Sequence, residues 1–293
     1  MSNLTQRVLV AIIAIPIVCY VILFKPFGLL GLAVLVALLA VHEFYGLAKA
    51  KGFSPQVTIG MILTASIVIS FGRIHLLHAA AFLHLHLSFA LLTIYFLPLA
   101  MILGVMATLI AELFKGYPNP LVHISLTLAG AAYLGFGLGA FFGIRELLYD
   151  ANGPSMTAAI FLIALLASIW ICDSAAFAIG KKIGRTKIAE RVSPNKTWEG
   201  AIAGLVAAIL TWILAVTYID DLKLVSISTA MVMGIIVGVF GQIGDFAESM
   251  LKRDAGVKDS STLIPGHGGV LDRIDSILFV APLAYLYIEL FGL

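Results

Sequence analysis

The sequence predicts an all-α integral membrane protein, a polytopic helical bundle with about nine transmembrane helices. Of the 293 residues, 61% are hydrophobic and 12% are charged, whereas soluble domains carry about 45–50% apolar and about 25% charged residues. The mean hydropathy is +1.07. Apolar runs of about 17–25 residues, the length that crosses a bilayer core, recur along the chain. Because these runs are long and continuous, they indicate helices and not the short alternating strands of a membrane barrel.

The spans follow one another from the N-terminus. They are predicted at residues 8–24, 28–48, 57–72, 88–113, 121–146, 156–180, 198–218, 225–250 and 275–291. The first span follows a lone basic residue, as in a signal peptide, but no small-x-small cleavage site comes after it, so we expect a retained helix. The start of the fourth span stays open, since residues 73–87 are compatible with a loop, an interfacial helix or part of the span.

The distribution of Lys and Arg predicts the orientation. With the N-terminus inside, 14 of these residues lie in inner segments and 4 lie in outer ones, as the positive-inside rule requires. When the Lys and Arg residues of the last two inner loops are left out, 4 basic residues lie inside and 4 lie outside. The predicted orientation therefore depends on those two loops. We expect a protein of the cell inner (cytoplasmic) membrane with these loops in the cytoplasm.

Composition divides the chain into two regions. Residues 1–150 are predicted to form N-terminal transmembrane helices that are nearly free of polar groups. Residues 151–293 are predicted to form a C-terminal transmembrane catalytic region with cytoplasmic loops at 181–197 and 251–274. The net charge of +2 identifies no partner. We expect the chain to contact the lipid bilayer and not to bind nucleic acid. A homo-oligomer stays open.

Carboxylates mark the predicted site. Asp173 lies inside the sixth span, where an ionised carboxylate costs about 2.5–3.5 kcal/mol on insertion scales. Asp245 and Glu248 share a helix face near the inner end of the eighth span, because they are spaced i, i+3. Asp272 and Asp275 repeat that spacing where the ninth span begins. Such acids are either surface acids paired with nearby bases or a cluster that needs cations between its members. The pattern favours Mg²⁺, which prefers oxygen ligands, and a second cation is compatible with it.

Both inner loops add basic and hydrogen-bonding groups. The later loop joins Lys252, Arg253 and Lys258 to a Pro-Gly-His-Gly-Gly turn, and its glycines let a backbone approach a phosphate closely. The earlier loop contains Ser-Pro-Asn-Lys-Thr at residues 193–197 and has no Walker sequence. Either loop alone would be typical of a solvated basic surface or of a surface that attracts anionic headgroups. Beside clustered acids, the two loops favour a cation and a phosphate-bearing substrate.

A histidine cluster stands apart from these groups. Its members are spaced like metal ligands, at His75, His78, His84 and His86. They fall on the predicted outer side, away from the other polar residues. We therefore favour interfacial packing over a metal site.

The loop motifs carry a resemblance to a known family. Residues 249–275, SMLKRDAGVKDSSTLIPGHGGVLDRID, fit the signature of the phosphatidate cytidylyltransferases, or CDP-diacylglycerol synthases, at every defined position. A second match combines residues 173–184 with residues 193–200. The family often has Tyr where this chain has Phe177. The resemblance covers roughly residues 168–280, and the N-terminal half matches only in hydropathy.

The resemblance implies a nucleotidyltransferase of phospholipid biosynthesis that converts CTP and phosphatidate to CDP-diacylglycerol and pyrophosphate. Asp245 and Asp272 are then expected to be the main metal ligands. Further ligands, or partners of the basic groups, are expected at Asp173, Glu248 and Asp275. Groups that hold phosphates are expected at Lys252, Arg253 and Lys258. Residues that seat CTP or shape the loop near pyrophosphate are expected at Ser193, Asn195, Lys196, Thr197, His267, Gly268, Gly269 and Arg273.

Other functions stay open at this point. A CTP-dependent kinase of a polyprenol or related lipid alcohol has a similar C-terminal core, but the full signature disfavours it. A CDP-alcohol phosphotransferase is disfavoured because its DG…AR…G…D…D spacing is absent. A transporter or channel would need polar residues throughout the bilayer depth, whereas here they gather at one face.

Overall fold

The computed structural model describes residues 3–72, 87–116, 118–148, 156–264, 266 and 268–293. In chain order these residues form α1 (Asn3–Phe24), α2 (Pro26–Ala50), α3 (Val57–Ser70), α4 (Leu87–Lys115), α5 (Pro120–Leu147), α6 (Met156–Ile183), α7 (Trp198–Tyr218), α8 (Ile227–Ile235), α9 (Gln242–Asp254) and α10 (Leu271–Phe291). A π-helical turn, Ile236–Gly241, joins α8 to α9. Extended pairing within these ranges is limited to two isolated bridges, so the all-α prediction is confirmed.

The predicted spans correspond to the observed helices. Among the described residues, seven helices are long and apolar enough to cross a membrane, and the apolar helices Ile12–Phe24 and Val57–Ser70 are shorter. The 14 residues of α3 rise about 21 Å at 1.5 Å per residue, less than the roughly 30 Å of a bilayer core. By length, the third expected span is therefore not a full crossing. Residues 73–86, with the four clustered histidines and the uncertain start of the fourth span, lie outside the described residues.

Three helix ends beside the two expected loops differ from the prediction because the helices continue into those loops. Helix α6 ends at Ile183, α9 runs to Asp254, and α10 begins at Leu271. The loops expected at 181–197 and 251–274 are therefore shorter. Basic residues occupy the last turns of α6 and α9, and an acid occupies the first turn of α10. Each charge interacts favourably with the helix dipole at that end, which explains the extension.

Helix α5 holds the two halves of the chain together. A side-chain carbon at Gly130 would lie 2.6 Å from the ring of Tyr45 on α2. A carbon at Gly137 would lie 3.1 Å from the backbone of Leu278 on α10. Small residues allow such close approach of membrane helices. Through these contacts α5 fixes the position of α10 relative to α2.

One end of the bundle gathers most of the polar groups, and we call it the site end. It contains Lys51, Asp254 and the segment 184–197. The Nζ atom of Lys51 lies 3.0 Å from an Asp254 carboxylate oxygen, which places the ends of α2 and α9 side by side. This end carries the cavity and the loop that are described below.

The N-terminal helices contain more polar groups than we expected. Glu43, Glu112 and His123 are all buried. The side-chain amide of Gln56 donates to Glu112 Oε1 over 2.8 Å, and His123 Nδ1 lies 3.5 Å from Glu112 Oε2. The expectation of nearly bare spans was therefore wrong for this half. Hydrogen bonds between helices allow these groups to be buried in an apolar bundle.

Candidate active site

A cavity of about 720 Å³ opens at the site end between α6, α7 and α9. It brings together two of the predicted carboxylates, Asp173 on α6 and Asp245 on α9, with the predicted loop 193–197. Its remaining walls are formed by Ala176, Phe177, Gly180, Lys181, Gly184, Lys187, Ile188, Gly200, Ala201 and Gln242. Groups that are up to 72 positions apart in sequence thus face one space.

The loop between α6 and α7 is folded back onto the start of α7. Thr197 is the N-cap of that helix, and its hydroxyl accepts a hydrogen bond from the Gly200 amide over 3.3 Å. The Glu199 carboxylate accepts the backbone amides of Arg185 and Thr186, over 3.1 and 3.2 Å. The cap by Thr197 satisfies one of the free amides at the start of α7, and Glu199 satisfies two amides of the loop. It also fixes the loop residues that line the cavity.

Lys196 is one of three lysines in the cavity lining, and it is paired with one of the cavity's acids. Its Nζ atom lies 2.6 Å from Asp245 Oδ2 and 4.3 Å from the ring centroid of Phe246. The carboxylates of Asp173, Asp245 and Asp275 are close enough to one another to interact electrostatically. Lys196 offsets part of this negative charge. The ammonium group would attract a substrate phosphate, and the acids beside it would attract a cation.

Asp272 belongs to a second cluster, at the start of α10. Lys252 Nζ lies 2.5 Å from both Asp272 Oδ1 and Glu248 Oε2. The other Asp272 oxygen accepts the backbone amides of Ser260 and Gly269, over 2.9 and 2.7 Å, and the Ser260 hydroxyl over 2.9 Å. Both of its oxygens are therefore engaged by donors. The expected set of four converging carboxylates is therefore divided. Asp245 lines the cavity, Glu248 and Asp272 meet at Lys252, and Asp275 lies outside the cavity lining but close enough to Asp245 to interact with it electrostatically.

The part of the signature that joins α9 to α10, residues 255–270, is called the signature loop here, and a tight turn brings it to Asp272. Gly266 and Gly268 have φ values of 75° and 82°, a region that glycine alone adopts without strain. The Ile264 amide donates to the Gly268 carbonyl over 2.8 Å. A side-chain carbon at Gly268 would lie 2.6 Å from Asp272 Oδ2. His267 lies outside the described residues.

Three predicted basic residues do not reach the cavity. Arg253, Lys258 and Arg273 are exposed and are absent from its lining. Arg253 donates instead to the Val257 carbonyl, one turn further along the chain, over 3.2 Å. Their roles as phosphate-binding groups remain predictions.

Sequence reasoning missed two polar residues. Glu43 of α2 reaches the signature loop, where its oxygens accept from Ser260, Ser261, Val270 and Leu271. The rule that an acid inside a span marks function, which we applied to Asp173, would have found it. Gln242 lines the cavity and donates to the Ala201 carbonyl over 3.0 Å. A polar residue at the end of an apolar span was the only signal for it.

The donor chemistry of these clusters fits a hard divalent cation. Within the described ranges no three His, Cys, Asp or Glu side chains already form a metal-binding group. Mg²⁺ commonly takes only one or two carboxylates and completes its shell with waters and substrate phosphates. Asp245 and Asp272 each hold a lysine ammonium group, so each carboxylate would bind a cation in exchange for its lysine.

Comparisons with known proteins agree with this chemistry. The model of the Cytidylyltransferase family matches residues 5–291. Phosphatidate cytidylyltransferase of Synechocystis sp. is 33% identical over 296 residues, which cover 98% of this chain and 97% of the relative. The Haemophilus influenzae protein of the same name is 31% identical over 290 residues, 97% of this chain and 98% of the relative. The Bacillus subtilis protein of that name is 40% identical over 169 residues, 57% of this chain and 58% of the relative.

Proposed function

This chain belongs to the cytidylyltransferase family, and we propose that it transfers the cytidylyl group of CTP to phosphatidate, giving CDP-diacylglycerol and pyrophosphate. The observation that carries the proposal is the cavity at the site end. It places the Asp173 and Asp245 carboxylates, the Lys196 ammonium group and the polar loop 193–197 around one space in a membrane-embedded bundle. Relatives that match over their full length bear the name of this activity.

The reaction needs charge control more than a base. A phosphate oxygen of phosphatidate attacks the α-phosphorus of CTP, and the bond from that phosphorus to the bridging oxygen breaks. Pyrophosphate leaves with the bonding electron pair. The attacking phosphate monoester has a second pKa of about 6 and is largely ionised at neutral pH. The protein must therefore bring two anions together and stabilise the charge that develops between them.

The residues of the cavity suit these tasks. Lys196 is held between Asp245 and the Phe246 ring, so its ammonium group is positioned before a phosphate arrives. Ser193, Asn195 and Thr197 offer hydroxyl and amide groups for CTP on the same wall. Outside the cavity lining, Lys252 supplies a second fixed positive group beside Asp272. Such preorganised charges lower the barrier because they need no reorientation during the reaction.

Asp245 and Asp272 would hold Mg²⁺, with Asp173, Glu248 and Asp275 as further ligands or as partners of the lysines. When bound, Mg²⁺ supplies positive charge that neutralises phosphate oxygens and orients them. A second cation is compatible with the number of carboxylates. This assignment is supported by the donor chemistry of the two clusters.

We place the cavity on the cytoplasmic side of the inner membrane. The excess of Lys and Arg in the loops of the site end supports this orientation. CTP would then arrive from the aqueous side, and phosphatidate would arrive from the adjoining leaflet. A single site at the ends of the helices could receive both substrates.

The test uses detergent-purified protein with dioleoyl phosphatidate, CTP and Mg²⁺. We expect pyrophosphate release together with a lipid whose mass has increased by a cytidylyl group, and loss of both products with EDTA. Asp245→Asn should lower kcat/KM by about 100-fold or more, the size of effect seen when one electrostatic group is removed from an active site. Asp221→Asn is the matched control, because Asp221 is an exposed acid in the connection between α7 and α8, at the other end of the bundle. Near-normal activity of Asp245→Asn would remove Asp245 from the site.

A further inference from the structure

Glu43 of α2 contacts the signature loop from the other half of the chain. It is a carboxylate in an apolar helix, and it is only 6% exposed. Its Oε1 atom accepts the Ser261 hydroxyl over 2.6 Å and the Val270 amide over 3.0 Å. Its Oε2 atom accepts the Ser260 hydroxyl over 2.9 Å and the Leu271 amide over 2.8 Å. Four donors therefore surround one buried carboxylate.

These donors lie in the middle and at the end of the signature loop. Ser260 and Ser261 stand six and seven residues after the end of α9 at Asp254, whereas Val270 is the N-cap of α10 and Leu271 is its first residue. The amides at the start of a helix have no partner within the helix, and a negative charge there is favoured by the helix dipole. Hydrogen bonds to an ionised acceptor are about twice as strong as neutral ones. Glu43 thus closes the loop and caps α10 at the same time.

Glu43 is linked directly to Asp272. The Ser260 hydroxyl lies 2.9 Å from Glu43 Oε2 and 2.9 Å from Asp272 Oδ2. A hydroxyl has one hydrogen, so it can donate to only one of the two carboxylates at a time. The space at Gly269 is equally restricted, since a side-chain carbon there would overlap both Ser260 and Glu43. A change at Glu43 must therefore alter the surroundings of Asp272.

Helix α2 supplies a rigid base for this contact. Tyr45, two residues after Glu43, is fully buried, and its hydroxyl donates to the Thr127 carbonyl of α5 over 2.7 Å. Its ring occupies the space that Gly60 and Gly130 leave open. Because these neighbours fix the backbone of α2, the Glu43 carboxylate has a fixed position from which it holds the loop.

We propose that Glu43 is a positioning residue that holds the signature loop, and with it Asp272, in the reactive arrangement. It does not line the cavity, so it acts on the reaction through the loop. The role of the loop in turnover rests on the proposed function. The hydrogen bonds by which Glu43 holds the loop do not depend on that function. The N-terminal half of the chain thereby contributes to a site whose motifs all lie in the C-terminal half.

The first test is hydrogen exchange of the segment 257–271 in Glu43→Gln. A glutamine is neutral and cannot present two acceptor oxygens to four donors. We expect the amides of this segment to exchange about tenfold faster, the effect of losing charge-assisted hydrogen bonds. Glu112→Gln is the matched control, because Glu112 is also a buried acid of the N-terminal half but contacts Gln56 and not the loop. It should leave the exchange of this segment unchanged.

The second test is kinetic and separates positioning from general stability. Glu43→Gln should lower kcat by about tenfold or more while the KM for CTP stays near that of the unchanged protein. The KM should stay because the loop 193–197 lines the cavity and makes no contact with Glu43. Ser261→Ala removes the 2.6 Å bond to Glu43 and the 3.1 Å bond that the Ser261 hydroxyl accepts from the Leu263 amide. It leaves α2 intact and should give a smaller loss of kcat. This variant keeps the test available if Glu43→Gln folds poorly.

Two results would overturn the proposal. One is unchanged exchange of the segment 257–271 in both Glu43→Gln and Ser261→Ala. The other is faster exchange with an unaltered kcat. If the unchanged protein made no CDP-diacylglycerol while Glu43→Gln still loosened the loop, the proposed function would fail and the hold of Glu43 on the loop would stand.

Discussion

At the scale of single residues, the signature turn depends on the backbone of Gly268. Its φ of 82° lies in the left-handed region, where a side chain costs roughly 1–2 kcal/mol. A side-chain carbon there would also press on Asp272, at 2.6 Å from Oδ2. Gly256 has a similar φ of 74°, but nothing lies within 4 Å of the position of its missing side chain. The two glycines therefore separate backbone strain from displacement of Asp272.

We expect Gly268→Ala to lose at least as much thermal stability as Gly256→Ala, because it adds the contact with Asp272 to the backbone strain that both variants share. Only Gly268→Ala should lose activity, by about 100-fold in kcat/KM, since a misplacement of about 1 Å can cost that much. Thermal unfolding and steady-state kinetics of the two variants measure both effects. Equal activity of the two variants would show that the position of Asp272 does not matter to the reaction.

The site residues could be predicted from the sequence to different extents. Asp173, Asp245 and the loop 193–197 were predicted, and the structure places them around one cavity. Their sequence patterns are local, and intramembrane acids are conspicuous. Glu43 was missed because its role depends on a contact across 217 positions of sequence, to Ser260. The separation of Asp272 from Asp245 depends on which lysine pairs with which acid, and spacing alone does not determine that.

At the scale of elements, the π-helical turn Ile236–Gly241 comes directly before the helix that carries Asp245. Such turns often occur at functional sites, and they shift the direction of the residues that follow. The side-chain amide of Gln242 donates to the Gly238 carbonyl over 2.5 Å and to the Ala201 carbonyl of α7 over 3.0 Å. Gln242 thus stabilises the turn and ties it to the wall of the cavity.

We expect Gln242→Leu to leave these two carbonyls without their side-chain donor, at a cost of about 1–3 kcal/mol. Since Asp245 follows within one helical turn, kcat/KM should fall by about tenfold or more. Thr211→Val removes a comparable bond within α7, from Thr211 Oγ to the Ala207 carbonyl, and should have little effect on turnover. Steady-state kinetics of both variants in detergent would measure this. Equal losses in the two would argue against a role for the π-helical turn in placing Asp245.

Hydropathy predicted the existence of the helices better than their ends. Continuous apolar runs identified α1, α2, α4 to α7 and α10, because lipid-compatible helices must be long and apolar. One further run covered α8, the π-helical turn and most of α9 as a single span. The ends at Ile183 and Asp254 were missed, because helices rich in terminal lysine can extend beyond their apolar part. The start of α3 was predicted at residue 57, and its end at Ser70 lies two residues before the predicted end of the span.

At the scale of the whole molecule, the division into a structural N-terminal half and a catalytic C-terminal half is too simple. The glycines of α5 bring α10 close to the N-terminal helices, and Glu43 of α2 closes the signature loop. Composition indicated two regions because the motifs and basic loops are all late in the sequence. It did not reveal that one hydrogen-bonded unit spans both halves.

The central claim is that this bundle transfers a cytidylyl group to phosphatidate. The most direct measurement supplies the same preparation with CTP labelled at the α-phosphate or at the γ-phosphate, and then extracts the lipid. The account predicts that α-label enters the lipid with phosphatidate as acceptor, while γ-label appears only in pyrophosphate. Transfer of γ-label to a lipid alcohol, with no α-label in any lipid, would contradict it and identify a CTP-dependent lipid kinase.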